Sequence, residues 1–182
     1  MHVVPRPGWY RPATPRTLGT LAVVFGVVVA SISALSALNA INGGGGQDDD
    51  PYPAAAVAAF TAATRSATVG TSLILIAMSA TLVMIGGGLR RYERWAGRAA
   101  ERWAVGALFI VGALAYVNAV VIGPAATALF ESANDPELAP MIKFVRWAGL
   151  GTALIYAPFP LVLWTQLRRP EVVAAMDQPR RA

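Results

Sequence analysis

Apolar residues fall in four long blocks along the chain, and short polar segments separate these blocks. The blocks cover residues 17–41, 67–89, 103–122 and 147–167, and none of them contains Asp, Glu, Lys, Arg or His. They follow neither the alternation of a half-buried strand nor the one-sided stripe of a helix on a soluble core. About 20 mostly apolar residues are enough for a helix to cross the hydrocarbon core of a bilayer. The pattern therefore predicts an all-α polytopic membrane protein, a bundle of four transmembrane helices.

The polar segments divide the chain into three regions. Residues 1–16 form a basic, proline-rich tail, residues 17–167 form the transmembrane domain, and residues 168–182 form a short second tail that we expect to fray. The first block could instead be a cleaved signal peptide, but its apolar part exceeds the roughly 7–15 residues of such peptides, so a retained span is favoured. Residues 54–66 are alanine-rich and predict a helix that either continues the second span or lies on the outer surface.

Residues 90–103 are the most basic stretch and separate the second and third spans. If they form one helix, the arginines share one arc and the aromatic rings share the next, as in a helix lying in the membrane interface. The alternative is a hairpin that turns at Ala96-Gly97. Either arrangement predicts contacts with lipid headgroups through Arg90, Arg91, Arg94, Arg98, Arg102, Trp95 and Trp103.

The distribution of basic residues predicts the orientation. The first tail carries three, the central stretch five and the last tail four, whereas the two remaining loops carry one and two. Short loops rich in Lys and Arg stay in the cytoplasm, so both termini are predicted to be inside. Only one of the fifteen basic residues is lysine. Together with the abundant Ala, Gly and Pro, this is typical of a GC-rich bacterial genome and indicates the bacterial cytoplasmic membrane.

Small residues recur every four positions in three of the spans, a spacing that lets membrane helices approach closely. The predicted helix-packing residues are Gly26, Ala30 and Ala34 in the first span, Ala115, Ala119 and Gly123 in the third, and Gly149, Ala153 and Ala157 in the fourth. Gly86-Gly87-Gly88 is expected to let the second span fray or bend. Pro158 and Pro160 predict a bend in the fourth span, which is either simple packing or part of a gate or groove.

The residues of the spans argue against several chemistries. Intramembrane proton relays and ion-coupled transport use ionisable groups, and haem ligation between spans normally uses histidine, but the four blocks contain neither. The chain has no cysteine. We therefore predict no enzyme activity, no catalytic or metal site and no cofactor. The predicted intramembrane polar residues are Asn39 and Asn118, and Asn118 and Tyr116 are the polar residues deepest in the third span.

The segment Pro15-Arg16-Thr17-Leu18-Gly19, continued by Val24-Phe25-Gly26, resembles the opening of small four-span integral membrane proteins found in several bacterial groups. The resemblance implies the four-helix membrane fold and no functional residues. The leading prediction is a structural, accessory or partner-binding membrane protein. The alternative is a small oligomeric channel or carrier lined by Asn39, Asn118 and hydroxyl groups. Expected partners are anionic lipid headgroups on the cytoplasmic side and a second copy or a membrane complex, with no nucleic acid.

Overall fold

The structure is a computed structural model that describes residues 14–42, 52–133, 139–145 and 147–177. Every regular element in this part of the chain is helical. The elements are α1 (Thr14–Ile41), α2 (Ala54–Arg90), α3 (Arg94–Val117), a π-helical turn (Asn118–Ile122), α4 (Gly123–Ser132), α5 (Ala139–Val145), α6 (Ala148–Tyr156), α7 (Pro158–Leu167) and α8 (Pro170–Asp177). The predicted tails at 1–13 and 178–182 lie outside the described residues.

Four helical segments are long and apolar enough to cross a membrane. They are Pro15–Ile41, Ala54–Arg90, Arg94–Ser132 and Gly149–Leu167, with mean hydropathies of 2.5, 2.0, 2.3 and 1.3. Large apolar side chains on these helices face outward, including Leu35 (64% exposed), Phe109 (77%) and Ile155 (69%). A soluble domain rarely presents so much apolar surface, whereas lipid covers it without cost. The predicted all-α, four-span, multi-pass membrane fold is confirmed.

The first two spans pack backbone against backbone. A Cβ added to Gly19 would lie 2.6 Å from the carbonyl oxygen of Gly86, and one added to Gly86 would lie 2.7 Å from that of Gly19. Seven residues further along α1, in the same interface, a Cβ added to Gly26 would lie 2.8 Å from Cγ2 of Val83 on α2. Close approach at glycine increases van der Waals contact, the main attraction between helices surrounded by lipid. The first apolar block is thus an integral part of the bundle.

The three consecutive glycines differ from expectation, because α2 runs through them to Arg90 without a break. Gly86 faces α1, as described above. Gly88 faces α3, where an added Cβ would lie 2.7 Å from Cβ of Ala96. Gly87 lies between them and has nothing within 4 Å. Two of the three glycines are therefore contact points with different helices, and contacts on both sides hold this end of α2 in helical form.

The second and third spans form a hairpin, but the turn lies at 91–93 rather than at Ala96-Gly97. The N–H of Glu93 donates to the Gly88 carbonyl (3.0 Å) and that of Tyr92 to the Leu89 carbonyl (3.1 Å). Tyr92 has a positive φ of 57°. These bonds make up a Schellman motif, which usually places glycine at the left-handed position. Tyrosine is accepted there because its ring packs against the buried core.

Of the two alternatives predicted for residues 54–66, the structure shows the first, since they continue the second span as one helix. This extension brings Arg65 beside the end of α1, where its Nη2 donates to the Ile41 carbonyl at 2.9 Å. The last carbonyls of a helix have no partner within the helix and carry partial negative charge. Arg65 therefore caps α1 from the neighbouring span.

The third span continues past the predicted end at 122 through one widened turn. The N–H of Gly123 donates to the carbonyl of Asn118, five residues earlier. Pro124 has no N–H, and its ring would collide with the carbonyl of Val120 in a regular α-helix. The π turn relieves this collision and lets the helix run on to Ser132. Gly123-Pro124 therefore widens one turn of the helix, and the span continues beyond it.

The fourth span bends at Ala157, between α6 and α7. Pro158 and Pro160 cannot donate to the preceding turn, but the N–H of Leu161 still bonds the Ala157 carbonyl at 3.2 Å. Pro160 is fully buried and lies in the packed interior. The predicted bend is therefore present, with one of its prolines serving as core.

The second tail differs from the expectation of a frayed end. Residues Pro170–Asp177 form α8, which contacts α1, α3 and α7 across one end of the bundle. Val172 is 2% exposed and Met176 is 7% exposed, and both belong to the main core cluster. Two apolar residues four apart give this short helix a buried face that overrides the basic composition of the tail.

Candidate functional site

The first candidate site is the basic end of the bundle. Eight arginines lie at or near this end, and all are exposed: Arg16, Arg90, Arg91, Arg94, Arg98, Arg102, Arg168 and Arg169. Arg168 Nε bonds Oε1 of Glu101 at 2.9 Å, and its guanidinium lies 4.3 Å from the centre of the Trp164 ring. Arg168 therefore joins the third and fourth spans. The five arginines predicted to meet headgroups are exposed on the same end, as that role requires.

A groove of about 290 Å³ opens at this end between the start of α3 and the docked α8. Its polar rim is made by Arg94, Arg98 and Glu101. Its apolar wall is made by Leu167, Val172, Val173 and Met176. Sequence reasoning missed this groove because α8 was expected to be frayed. The i, i+4 spacing of Val172 and Met176 was the available signal.

The two tryptophans predicted to meet headgroups occupy different environments. Trp95 is 50% exposed, and its indole N–H donates to Oε2 of Glu93 at 2.6 Å, beside the hairpin turn. Trp103 lies inside the bundle instead, where its indole N–H donates to the Met78 carbonyl at 3.1 Å. Its ring also meets Phe159 edge to face, with centroids 6.4 Å apart. Trp103 is half-buried and packs against the core, with its indole N–H already bonded, and its contact with headgroups stays a prediction.

The small-residue stripes of the third and fourth spans meet each other inside the molecule. A Cβ on Gly149 would lie 2.6 Å from the Ala115 carbonyl oxygen and 3.1 Å from Cβ of Ala119. Gly123 is buried, and Ala153 and Ala157 are half-buried.

The stripe on the first span is only partly as expected. Gly26 is buried against α2, but Ala30 and Ala34 are half-buried, and the buried line continues through Ser33 and Ala37. The buried face of the first span therefore runs through Gly26, Ser33 and Ala37 rather than through Gly26, Ala30 and Ala34.

The second candidate site is a polar crevice of about 240 Å³ to which all four spans contribute. Along the helices, at about 1.5 Å per residue, Ser33 lies about 26 Å beyond Arg16 and Thr152 about 24 Å before Arg168. A hydrocarbon core is about 30 Å thick. The crevice therefore lies in the leaflet opposite the basic end.

Eight of the twelve residues lining the crevice have polar side chains, and none of the twelve is charged. The polar ones are Ser33, Ser36, Thr68, Thr71, Ser72, Asn118, Thr152 and Tyr156. The remaining wall is formed by Ile32, Leu75, Leu114 and Ile122. Asn39, the other amide considered for a polar path, is exposed near the end of α1 and does not line the crevice.

Three of the eight polar groups, those of Ser36, Thr71 and Asn118, bond the backbone of their own helix, as polar groups in membrane helices commonly do. Ser36 Oγ donates to the Ile32 carbonyl at 3.0 Å, and Thr71 Oγ1 to the Ala67 carbonyl at 2.8 Å. Asn118, on the π turn, donates through Nδ2 to the Leu114 carbonyl at 3.0 Å. The side-chain amide of Asn118 therefore lies at the wall of the crevice, and one N–H of that amide is used in the bond to Leu114.

Ser33 and Ser72 are different. They are 3% and 4% exposed, and among the described residues neither hydroxyl has a hydrogen-bond partner. They approach the crevice from α1 and α2. Their oxygens are accessible from the crevice, because among the described residues only Trp164 Nε1 is a fully buried side-chain polar atom without a partner. These two hydroxyls can therefore bond a polar group that enters the crevice.

Aromatic rings lie between the crevice and the basic end, beside a small cavity of about 30 Å³ that shares Leu75, Leu114 and Tyr156 with the lining of the crevice. The rings of Phe25 and Phe159 stack with centroids 4.5 Å apart, and Trp103 meets Phe159. The rings pack against the core cluster, in which Leu82, Leu89 and Leu163 are at most 1% exposed. Within the described residues the crevice therefore ends on aromatic and aliphatic side chains.

Comparison of the chain with models of protein families, with curated proteins and with solved structures finds no match.

Proposed function

We propose that this chain is an accessory, non-catalytic multi-pass protein of the bacterial cytoplasmic membrane, with both termini in the cytoplasm, that binds anionic lipid headgroups at its basic end. The observation that carries the proposal is the groove between α3 and α8. Arg94 and Arg98 on its rim supply positive charge, and Leu167 and Val173 supply apolar contact. Among the described residues Arg98 has no ion-pair partner. A phospholipid offers the same combination of a charged head and an apolar chain.

Association with a second copy or with a membrane complex is part of this proposal. Gly26 and Gly149 touch neighbouring helices of the same chain, so they are not available to a partner. The lipid-exposed faces remain, including the face of α3 that presents Phe109 and Tyr116, which are 77% and 68% exposed.

The lipid preference is tested by native mass spectrometry of the full chain after reconstitution in mixed phosphatidylglycerol and phosphatidylethanolamine vesicles. The double variant Arg94→Gln/Arg98→Gln is expected to lose its preference for phosphatidylglycerol, because each arginine near an anionic surface contributes about 1 kcal/mol. Lys143→Gln, which removes an exposed charge at the opposite end of the bundle, should retain the preference. An unchanged preference in the double variant would reject headgroup binding in this groove.

A carrier of a small neutral solute is the second candidate, and the polar crevice is the observation that favours it. The packed rings of Phe25, Trp103 and Phe159 between the crevice and the basic end argue against an open path through one chain. Solute flux in proteoliposomes separates the two functions. Reproducible flux that falls in Asn118→Leu would support the carrier and contradict the accessory function.

A further inference from the structure

We propose that the polar crevice is a binding site for a small uncharged group that carries several hydroxyls, supplied either by a free polyol or by the headgroup of a neutral lipid. This inference does not depend on the function proposed for the basic end. It is carried by the uncharged polar lining of the crevice and by Ser33 and Ser72, whose hydroxyls open into the crevice and have no hydrogen-bond partner among the described residues.

The lining determines the chemical class of the ligand. Hydroxyl and amide groups both donate and accept hydrogen bonds, so they match a polyol, whose hydroxyls do the same. None of the twelve described residues that line the crevice is charged, so none of them compensates the loss of water around a phosphate, a carboxylate or a metal ion. This lining therefore favours a neutral ligand over an ion.

The volume of the crevice limits the size of the ligand. About 240 Å³ corresponds to roughly eight water molecules, at about 30 Å³ each in the liquid. Pockets for drug-sized ligands begin at about 300 Å³. A glycerol-sized group fits this space.

The position of the crevice allows two routes of entry. It lies in the leaflet opposite the basic end, close enough to the surface for a solute from water to reach it. The helices that line it also face lipid, so a headgroup attached to acyl chains can enter from the side. The rings of Phe25, Trp103 and Phe159 lie between this site and the basic end, where a cavity of about 30 Å³ adjoins the crevice.

The test uses the full chain and two probes that share the glycerol group. Glycerol binding is measured by saturation-transfer NMR in detergent, and diacylglycerol binding by native mass spectrometry from nanodiscs. Glycerol 3-phosphate is the charged comparison. The variant Ser33→Ala/Ser72→Ala removes both buried hydroxyls. The control Thr81→Ala/Thr165→Ala removes two exposed hydroxyls that bond their own helix backbone outside the crevice.

We expect at least one glycerol probe to bind the wild-type chain and glycerol 3-phosphate not to bind. Loss of two hydrogen bonds should weaken binding about tenfold or more in Ser33→Ala/Ser72→Ala. The control variant should bind as the wild type does. Signal from glycerol alone identifies a solute site, signal from diacylglycerol alone identifies a lipid site, and both results support the inference.

Three results would overturn it: neither glycerol probe binds, the charged probe binds equally well, or the serine variant binds unchanged. Since the serine variant keeps the backbone and most of the packing, we expect it to fold. Circular dichroism and thermal unfolding verify this. If it does not fold, Thr68→Val, which replaces a half-buried hydroxyl of the crevice, takes its place under the same criteria.

Discussion

Single glycines decide how closely the helices of this bundle approach. At Gly19 and Gly86 the backbones of α1 and α2 touch, and at Gly88 the backbone of α2 meets the first turn of α3. Hydrophobic burial contributes little between helices in lipid, so these contacts carry much of the packing energy. The same residue type has no such role at Gly70, Gly106 and Gly112, where nothing lies within 4 Å of an added Cβ.

The consecutive pair Gly86 and Gly87 provides a matched test of this role. Gly86→Ala places a methyl group 2.7 Å from a backbone carbonyl oxygen, so the helices must separate, and we expect a loss of about 1–3 kcal/mol in stability. Gly87→Ala meets open space and should be neutral or stabilising by up to about 1 kcal/mol, because alanine favours helix. Thermal unfolding in one detergent compares the two variants. Equal destabilisation would contradict the contact between Gly19 and Gly86.

At the scale of elements, the long helices follow from the apolar pattern, whereas their connections depend on tertiary contacts. Of the two arrangements predicted for residues 90–103, the hairpin places its turn at Ala96-Gly97, where glycine gives the highest local preference for a turn. The structure turns at Tyr92 instead, because α3 must begin by Arg94 to bury Ala96, Ala100 and Ala104, all 0% exposed. Local preference cannot reveal this, since the surfaces that bury these alanines come from distant parts of the chain.

The sequence predicts the crevice only in part, because its assembly also depends on tertiary contacts between distant parts of the chain. Asn118 and the hydroxyls were recognised as polar groups within the spans, and Asn118 does line the crevice. Which hydroxyls face one another depends on the rotation of each helix about its axis. Long apolar segments leave that rotation unspecified, because both lipid and protein accept apolar side chains. The half-buried position of Trp103 is undetermined by the sequence on the same ground, since an aromatic ring at the end of a block suits either the interface or the core.

The short helix α8 provides a test at the scale of an element. Val172 is 2% exposed and Val173 is 47% exposed, so two identical side chains lie on opposite faces. Val172→Ala should weaken docking of α8 by about 1–2 kcal/mol and speed proteolytic cleavage of the C-terminal segment. Val173→Ala should leave cleavage nearly unchanged. The same cleavage rate in both variants would show that α8 is not docked against α1 and α3.

At the scale of the whole molecule, the bundle has one basic end and one polar crevice near the opposite face. Four crossings bring Arg16 and Arg168 to the same end as the hairpin turn at 91–93. The crowding of arginines there sets the orientation that we propose, with this end in the cytoplasm. In that orientation the groove beside α8 faces the anionic lipids of the inner leaflet, and the crevice opens toward the outer leaflet.

This orientation is the central claim of the account, and labelling of single cysteines in intact cells tests it most directly. The chain has no cysteine of its own, so the background is zero. Arg91→Cys marks the hairpin turn, and Ser132→Cys marks the exposed end of α4 at the opposite face. With a membrane-impermeant maleimide, Ser132→Cys should be labelled in intact cells and Arg91→Cys only after the cells are lysed. Labelling of Arg91→Cys in intact cells, with Ser132→Cys protected until lysis, would contradict the account.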